Sequence, residues 1–313
     1  MLLFLATLAC VYLTYGYVWE GGDPLADWQT AKAAGTFSGA LMSILLAHEM
    51  GHYVVARRHG FRLSLPYFIP FPAAFGTFGA VIRLRTLPRS RTALLEMGAA
   101  GPIAGAVVAF AAIAIGLPQT GPPPEIPAPE VFVGEPSAWA LAMEGVLGSG
   151  PIASFLEWAS PPVPDGHVAV LIFNNPPVMD LLGWLIMGEA PGRYDTLSPI
   201  AMAGWVGCLL TAINLVPIGQ LDGGHILGAV IPDQARRASK VLLGLALAGG
   251  LVWSGWLVWA ALLLITGAWR NLGVPGETRL TPRAMVIAAI AVALFLLTFM
   301  PVPVEPDSLP FTP

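Results

Sequence analysis

The chain has 313 residues, 56% of them hydrophobic and 11% charged, with a mean hydropathy of +0.71. Soluble domains carry about one charged residue in four, so this composition describes a membrane protein built as one bundle of spans. A formal net charge of −4 with only 15 Lys and Arg excludes a nucleic-acid surface, and two cysteines in apolar runs, Cys10 and Cys208, exclude a disulfide framework.

A helix needs about 20 mostly apolar residues to cross the hydrocarbon core. The first such run is Leu2 to Trp19, which lacks a basic leader and a small-residue cleavage pattern and reads as an anchor rather than a signal peptide. The second is Gly35 to Ala56 and the third Thr92 to Leu117. Between them, Phe61 to Leu87 is apolar, aromatic and rich in Gly and Pro, which predicts a short hairpin folded back against the membrane. Pro118 to Ser198 is a proline-rich connection in which Leu171 to Met187 is the expected interfacial helix. The fourth run, Pro199 to Ile231, is interrupted by Pro217 and by Gly223-Gly224, a break that membranes tolerate where protein covers the freed backbone groups. Val241 to Gly267 and Ala284 to Val304 complete the set.

Charge orients the spans. Arg57, Arg58 and Arg62 follow the second run, and Arg83, Arg85, Arg89 and Arg91 precede the third, which places that connection in the cytoplasm. The 118–198 loop holds one basic residue, Arg193, against nine acidic ones and reads as external. Arg236, Arg237 and Lys240 return the chain to the cytoplasmic side. Arg270, Arg279 and Arg283 then fall outside if Val241 to Gly267 crosses once; a hairpin there is the alternative. The sum is an all-α polytopic membrane protein of about six transmembrane helices, with a small re-entrant β-hairpin between the second and third.

The second run contains His48-Glu49-Met50-Gly51-His52. Residues four apart share a helix face, so the two imidazoles can grip one metal ion while Glu49 serves a metal-bound water. Two histidines and a glutamate in an apolar helix are costly, about 2.5–3.5 kcal/mol for a charge at the bilayer centre, unless a divalent cation compensates them. A catalytic zinc takes three protein ligands and keeps a position for water. Asp222, the one acidic residue of the fourth run, can be the third, beside Gly223 and Gly224 that permit close helix approach.

His48 to His52 on one helix, Asn214 to Gly224 on another and the Phe75 to Arg83 loop between them resemble the site-2 protease family of intramembrane zinc metalloproteases (peptidase family M50). The resemblance implies one zinc ion per chain on His48, His52 and Asp222, Glu49 as general base, and Asn214 stabilising the tetrahedral intermediate. It also implies a transmembrane protein substrate and an active site within the bilayer near its cytoplasmic face. On this reading residues 1–313 form a single membrane-embedded protease domain, with 35–231 as catalytic core and 118–198 as external loop. The PDZ and CBS modules common in the family are not found. The competing functions are a non-proteolytic zinc-binding scaffold and a metal transporter; the latter usually shows paired motifs in two halves, and this chain has no repeat. His225 is expected to pack or support rather than ligate, His59 and His167 to be solvated, and the Arg83 to Arg91 cluster to meet lipid headgroups. High Ala, Gly and Pro usage points to a prokaryotic plasma membrane.

Overall fold

A computed structural model describes residues 2–82, 90–123, 167–270 and 279–310. Arg83, Arg85, Arg89 and residues 124–166 of the proline-rich connection lie outside the described residues. In chain order the elements are α1 (Leu2–Thr14, continued by a π-turn over Tyr15–Trp19), α2 (Trp28–Arg58), β1 (Tyr67–Pro70), β2 (Thr77–Val81) and α3 (Arg91–Gly116). There follow β3 (His167–Phe173), α4 (Pro177–Met187), α5 (Pro199–Leu215), α6 (Asp222–Val230), α7 (Pro232–Gly249), α8 (Gly255–Thr266), α9 (Pro282–Thr298) and β4 (Val304–Pro310).

Three described helical segments are long and apolar enough to cross a membrane: Leu2–Trp19, Trp28–Arg58 and Arg91–Gln119. The shorter apolar helices are α4, α5, α8 and α9. α2 starts seven residues before the predicted Gly35 because Asp27 caps it, its carboxylate accepting the Thr30 N–H at 2.7 Å. Its 31 residues span roughly 46 Å, more than a bilayer core needs. Ser90 caps α3 in the same way through the Ala93 N–H at 3.1 Å.

Two predicted runs divide. Pro199 to Ile231 breaks at 216–221, between α5 and α6, but Gly223 and Gly224 lie inside the first turn of α6 rather than at the break. A β-carbon at Gly223 would strike the Leu215 carbonyl, and one at Gly224 the Gly219 carbonyl, so both glycines admit backbone contact. Val241 to Gly267 is not one continuous helix: it divides into α7 and α8, which pack against each other across a turn at 250–254. The chain comes back to the arginine-rich end, where the Arg283 Nε lies 3.7 Å from a Glu96 oxygen at the start of α3.

The predicted hairpin forms as an antiparallel β1–β2 pair with a bulge between Phe68 and Pro70. Its tip is clamped at the opposite end of the bundle: Trp19 stacks on Phe75 at 5.1 Å and donates its indole N–H to the Ala74 carbonyl at 2.7 Å. A second sheet was not expected. Leu171 to Phe173 belongs to β3, which pairs antiparallel with β4, so only Pro177–Met187 of the predicted interfacial segment is helical. Val304–Pro310 is that partner strand, and a pairing of residues as far apart as Phe173 with Val304 and His167 with Pro310 leaves no local signal.

α3 is the central helix, packed on α2, α5, α6 and α9. One core lies toward the sheet end, around Phe37, Leu41, Met179 and Trp205, whose indole N–H reaches the Asn174 carbonyl at 2.8 Å. A second lies toward the arginine-rich end, around Leu94, Leu95, Phe61 and Ile226.

Candidate metal centre

α2, α3 and α6 meet at one point. His48 and His52, one turn apart on α2, bring their Nε2 atoms within 3.1 Å of each other. The Asp222 Oδ2, from the first residue of α6, lies 3.2 Å from His48 Nε2 and 3.3 Å from His52 Nε2. Metal bonds of about 2.0 Å at tetrahedral angles set donor atoms about 3.3 Å apart, so the three separations are those of one face of a zinc tetrahedron. A shared proton can satisfy one of these pairs at a time; a cation satisfies all three. His48, His52 and Asp222 are therefore positioned to bind a metal.

The ring of His52 is oriented from behind. Its Nδ1 lies 2.8 Å from the Met97 carbonyl, which fixes the proton on Nδ1 and turns the Nε2 lone pair to the centre. The two rings cross at 69°, so that both lone pairs converge.

Small residues on α3 make room for this. A β-carbon at Gly101 would collide with the His52 ring, one at Gly105 would lie 3.1 Å from the His48 Cβ, and one at Gly98 would lie 3.1 Å from the Asp222 carbonyl oxygen. On α2, a β-carbon at Gly51 would strike the Ala100 carbonyl. Met97, Gly98, Gly101 and Gly105 are absent from the sequence-derived site. Their signal is the small-xxx-small spacing of Gly101 and Gly105, which marks close helix packing in membranes.

Glu49 is buried, 7% exposed, has no hydrogen-bond partner among the described residues and stands outside the three-ligand cluster. Asn214 lies half-buried in the last turn of α5, across the 216–221 break from Asp222, and its carboxamide also lacks a partner among the described residues. The break itself is held from the α7–α8 hairpin: Gly219 N–H bonds the Ser239 hydroxyl at 3.1 Å and Gln220 N–H the Ala268 carbonyl at 2.7 Å. His225 is not one of the clustered ligands and packs its Cβ toward Gly98, as expected. His59 is solvent-exposed, as expected. At the C-cap of α2, it also pairs with Glu96 at 2.9 Å, which ties the end of α2 to the start of α3. His167 is a strand residue of β3.

The model of peptidase family M50 matches residues 36–251, which include all the residues of this centre. The chain belongs to peptidase family M50. It is 28% identical over 268 residues to the Arabidopsis thaliana protein named probable zinc metalloprotease EGY1, chloroplastic, covering 84% of this chain and 42% of that one. To the EGY2 counterpart of Oryza sativa subsp. indica it is 30% identical over 215 residues, covering 66% of this chain and 32% of the relative. The EGY3 protein of the same rice matches over 90% of this chain at 24% identity. The M50 chain thus spans well under half the length of these relatives. They are chloroplastic plant proteins and give the expected prokaryotic membrane no support; membrane association rests on the apolar helices. No solved structure gives a significant match.

Proposed function

We propose that this M50 chain is an intramembrane zinc metalloprotease that hydrolyses peptide bonds in or near the transmembrane segments of other membrane proteins. The observation that carries the proposal is the set of three donor atoms 3.1–3.3 Å apart between helices of a membrane bundle. His48, His52 and Asp222 would hold the ion, a set of three protein ligands of the kind that catalytic zinc sites use. A zinc ion there supplies Lewis acidity and lowers the pKa of water toward about 7.

Glu49, next in sequence to the first ligand, accepts a proton from the attacking water and returns it to the leaving amine. Asn214 offers its carboxamide N–H to the oxyanion that develops on the scissile carbonyl. Glu49 is buried and Asn214 half-buried, and neither has a competing hydrogen-bond partner among the described residues, which keeps both available for these roles. The Met97 carbonyl and the α3 glycines hold the His52 ring while this happens.

A substrate helix hides its backbone in internal hydrogen bonds and must unwind before attack. β2 has β1 on one side and no strand on the other among the described residues, so its free edge suits an unwound segment added as a third strand. Phe78 and Val81 on this strand are exposed. Proline at Val81 should lower cleavage while leaving bound metal unchanged; unaltered cleavage would count against the edge as the substrate site. We also read α5 with α6, and α9, as crossings, and the β1–β2 hairpin as re-entrant.

The deciding experiment compares membrane-protein fragments in cells carrying wild-type chain or Glu49→Gln, with metal content of both purified proteins. Fragments that vanish in the variant while one metal per chain is retained support the protease. Identical fragment patterns across growth conditions, with metal retained, would instead make the chain a zinc-binding scaffold.

A further inference from the structure

The nine-residue helix α6 carries Asp222 at its first position, and its far end is gripped by a side chain 138 residues away in sequence. Arg91, the first residue of α3, donates from Nε to the Ala229 carbonyl at 2.6 Å and from Nη2 to the Val230 carbonyl at 2.8 Å. These are among the last carbonyls of α6, which have no donor within the helix. Two N–H groups of one rigid plane meet two successive carbonyls, and the cation lies at the negative end of the helix dipole. The sequence pattern had assigned this arginine to lipid headgroups. The side chain is half-buried and two of its nitrogens are committed to protein.

A helix of nine residues is a rigid rod of roughly 13 Å, so an anchor at its end sets the position of its first residue. That first residue supplies the carboxylate of the metal centre. The same α3 segment, six residues on, presents the Met97 carbonyl to His52. One and a half turns of α3 therefore hold a ligand-bearing helix at each end: α2 through Met97 and α6 through Arg91.

We propose that Arg91 is a positioning residue for the metal centre, its fork on the Ala229 and Val230 carbonyls setting the reach of Asp222 toward His48 and His52. This rests on the reading of those three residues as metal ligands. Lysine keeps the charge but offers a point donor in place of a planar fork, so it cannot reproduce the two-carbonyl grip.

The test uses the full chain purified in detergent. Zinc affinity is measured by chelator competition and ligand geometry by the visible absorption of bound cobalt(II), for wild type, Arg91→Lys, Arg91→Met, Ser90→Ala and His48→Ala. Ser90→Ala removes the α3 cap without touching α6. Partners that orient metal ligands are worth about 10–100-fold in affinity, so Arg91→Met should weaken zinc by at least about tenfold. Arg91→Lys should fall between it and wild type with an altered cobalt spectrum, and Ser90→Ala should match wild type. Should Arg91→Met not fold, Arg91→Lys decides. Wild-type affinity and spectrum in Arg91→Lys overturn the positioning role, and so does an equal loss in Ser90→Ala. Absence of stoichiometric metal in wild type, or its retention in His48→Ala, sinks the metal centre itself and the proposal with it.

Discussion

Gly101→Ala should separate the metal centre from the fold. The added methyl would lie 2.5 Å from both Cδ2 and Cε1 of the His52 ring, and nearer still to Nε2. Ordinary contact begins near 3.4 Å, so the ring carbons must retreat by at least about 0.9 Å and Nε2 by more. Without metal, the end of a side chain can swing away at the cost of its bond to the Met97 carbonyl, about 1 kcal/mol. With metal the same movement would lengthen a bond of about 2.0 Å by about half or more, which removes the ligand. The expected result is a metal-free protein that melts within a few degrees of the wild-type apoprotein but binds zinc at least about 100-fold more weakly. Zinc titration by chelator competition, with thermal melting of both apoproteins in detergent, measures the two effects. Gly228→Ala, where a β-carbon meets open space, should change neither. Wild-type zinc affinity in Gly101→Ala would refute the placement of His52 against α3.

Chelation should lower the melting temperature of wild type and leave His48→Ala unmoved, because free zinc at 100 times its dissociation constant adds about 2.7 kcal/mol to the folded state. Trp205 is fully buried and bonded to Asn174, so Trp205→Ala should cost about 3–5 kcal/mol in denaturant or thermal melts, with Trp205→Phe costing less. Asp27 has its pKa lowered by the Thr30 backbone N–H and then by the Thr30 hydroxyl. A carboxyl with a folded value below its free value of 3.8 stabilises above that pH and loses the benefit as pH falls through the folded value. Asp27→Ala should therefore melt below wild type at pH 7, with the gap closing below about pH 4.

Much of the centre was legible because its chemistry is local. His48, Glu49 and His52 fall on one helical turn, and helical spacing alone brings the two imidazoles together. Asp222 was found by elimination, as the sole acid of an apolar run. The first three spans were likewise read from unbroken apolar length, although Asp27 moved one boundary by offering a better cap than the hydropathy pattern showed. The hairpin at Tyr67 to Val81 was announced by its prolines and glycines.

The misreadings share a cause. Arg91 and the strand Leu171 to Phe173 each take their roles from partners far along the chain: carbonyls at Ala229 and Val230, and a strand beginning at Val304. Charge and periodicity report what a segment prefers alone, and such preferences are silent about a partner supplied by folding.

From its residues alone, this chain was bound to be a membrane bundle with a metal-binding turn, since apolar length and the four-residue spacing of His48 and His52 are properties of a single helix. That the carboxylate of Asp222 stands 3.2–3.3 Å from both imidazoles was decided only by the tertiary structure. The glycines of α3 allow three helices to close on one point, and Met97 orients one ligand there. Convergence of this kind depends on backbones approaching closely, which no one segment can encode by itself.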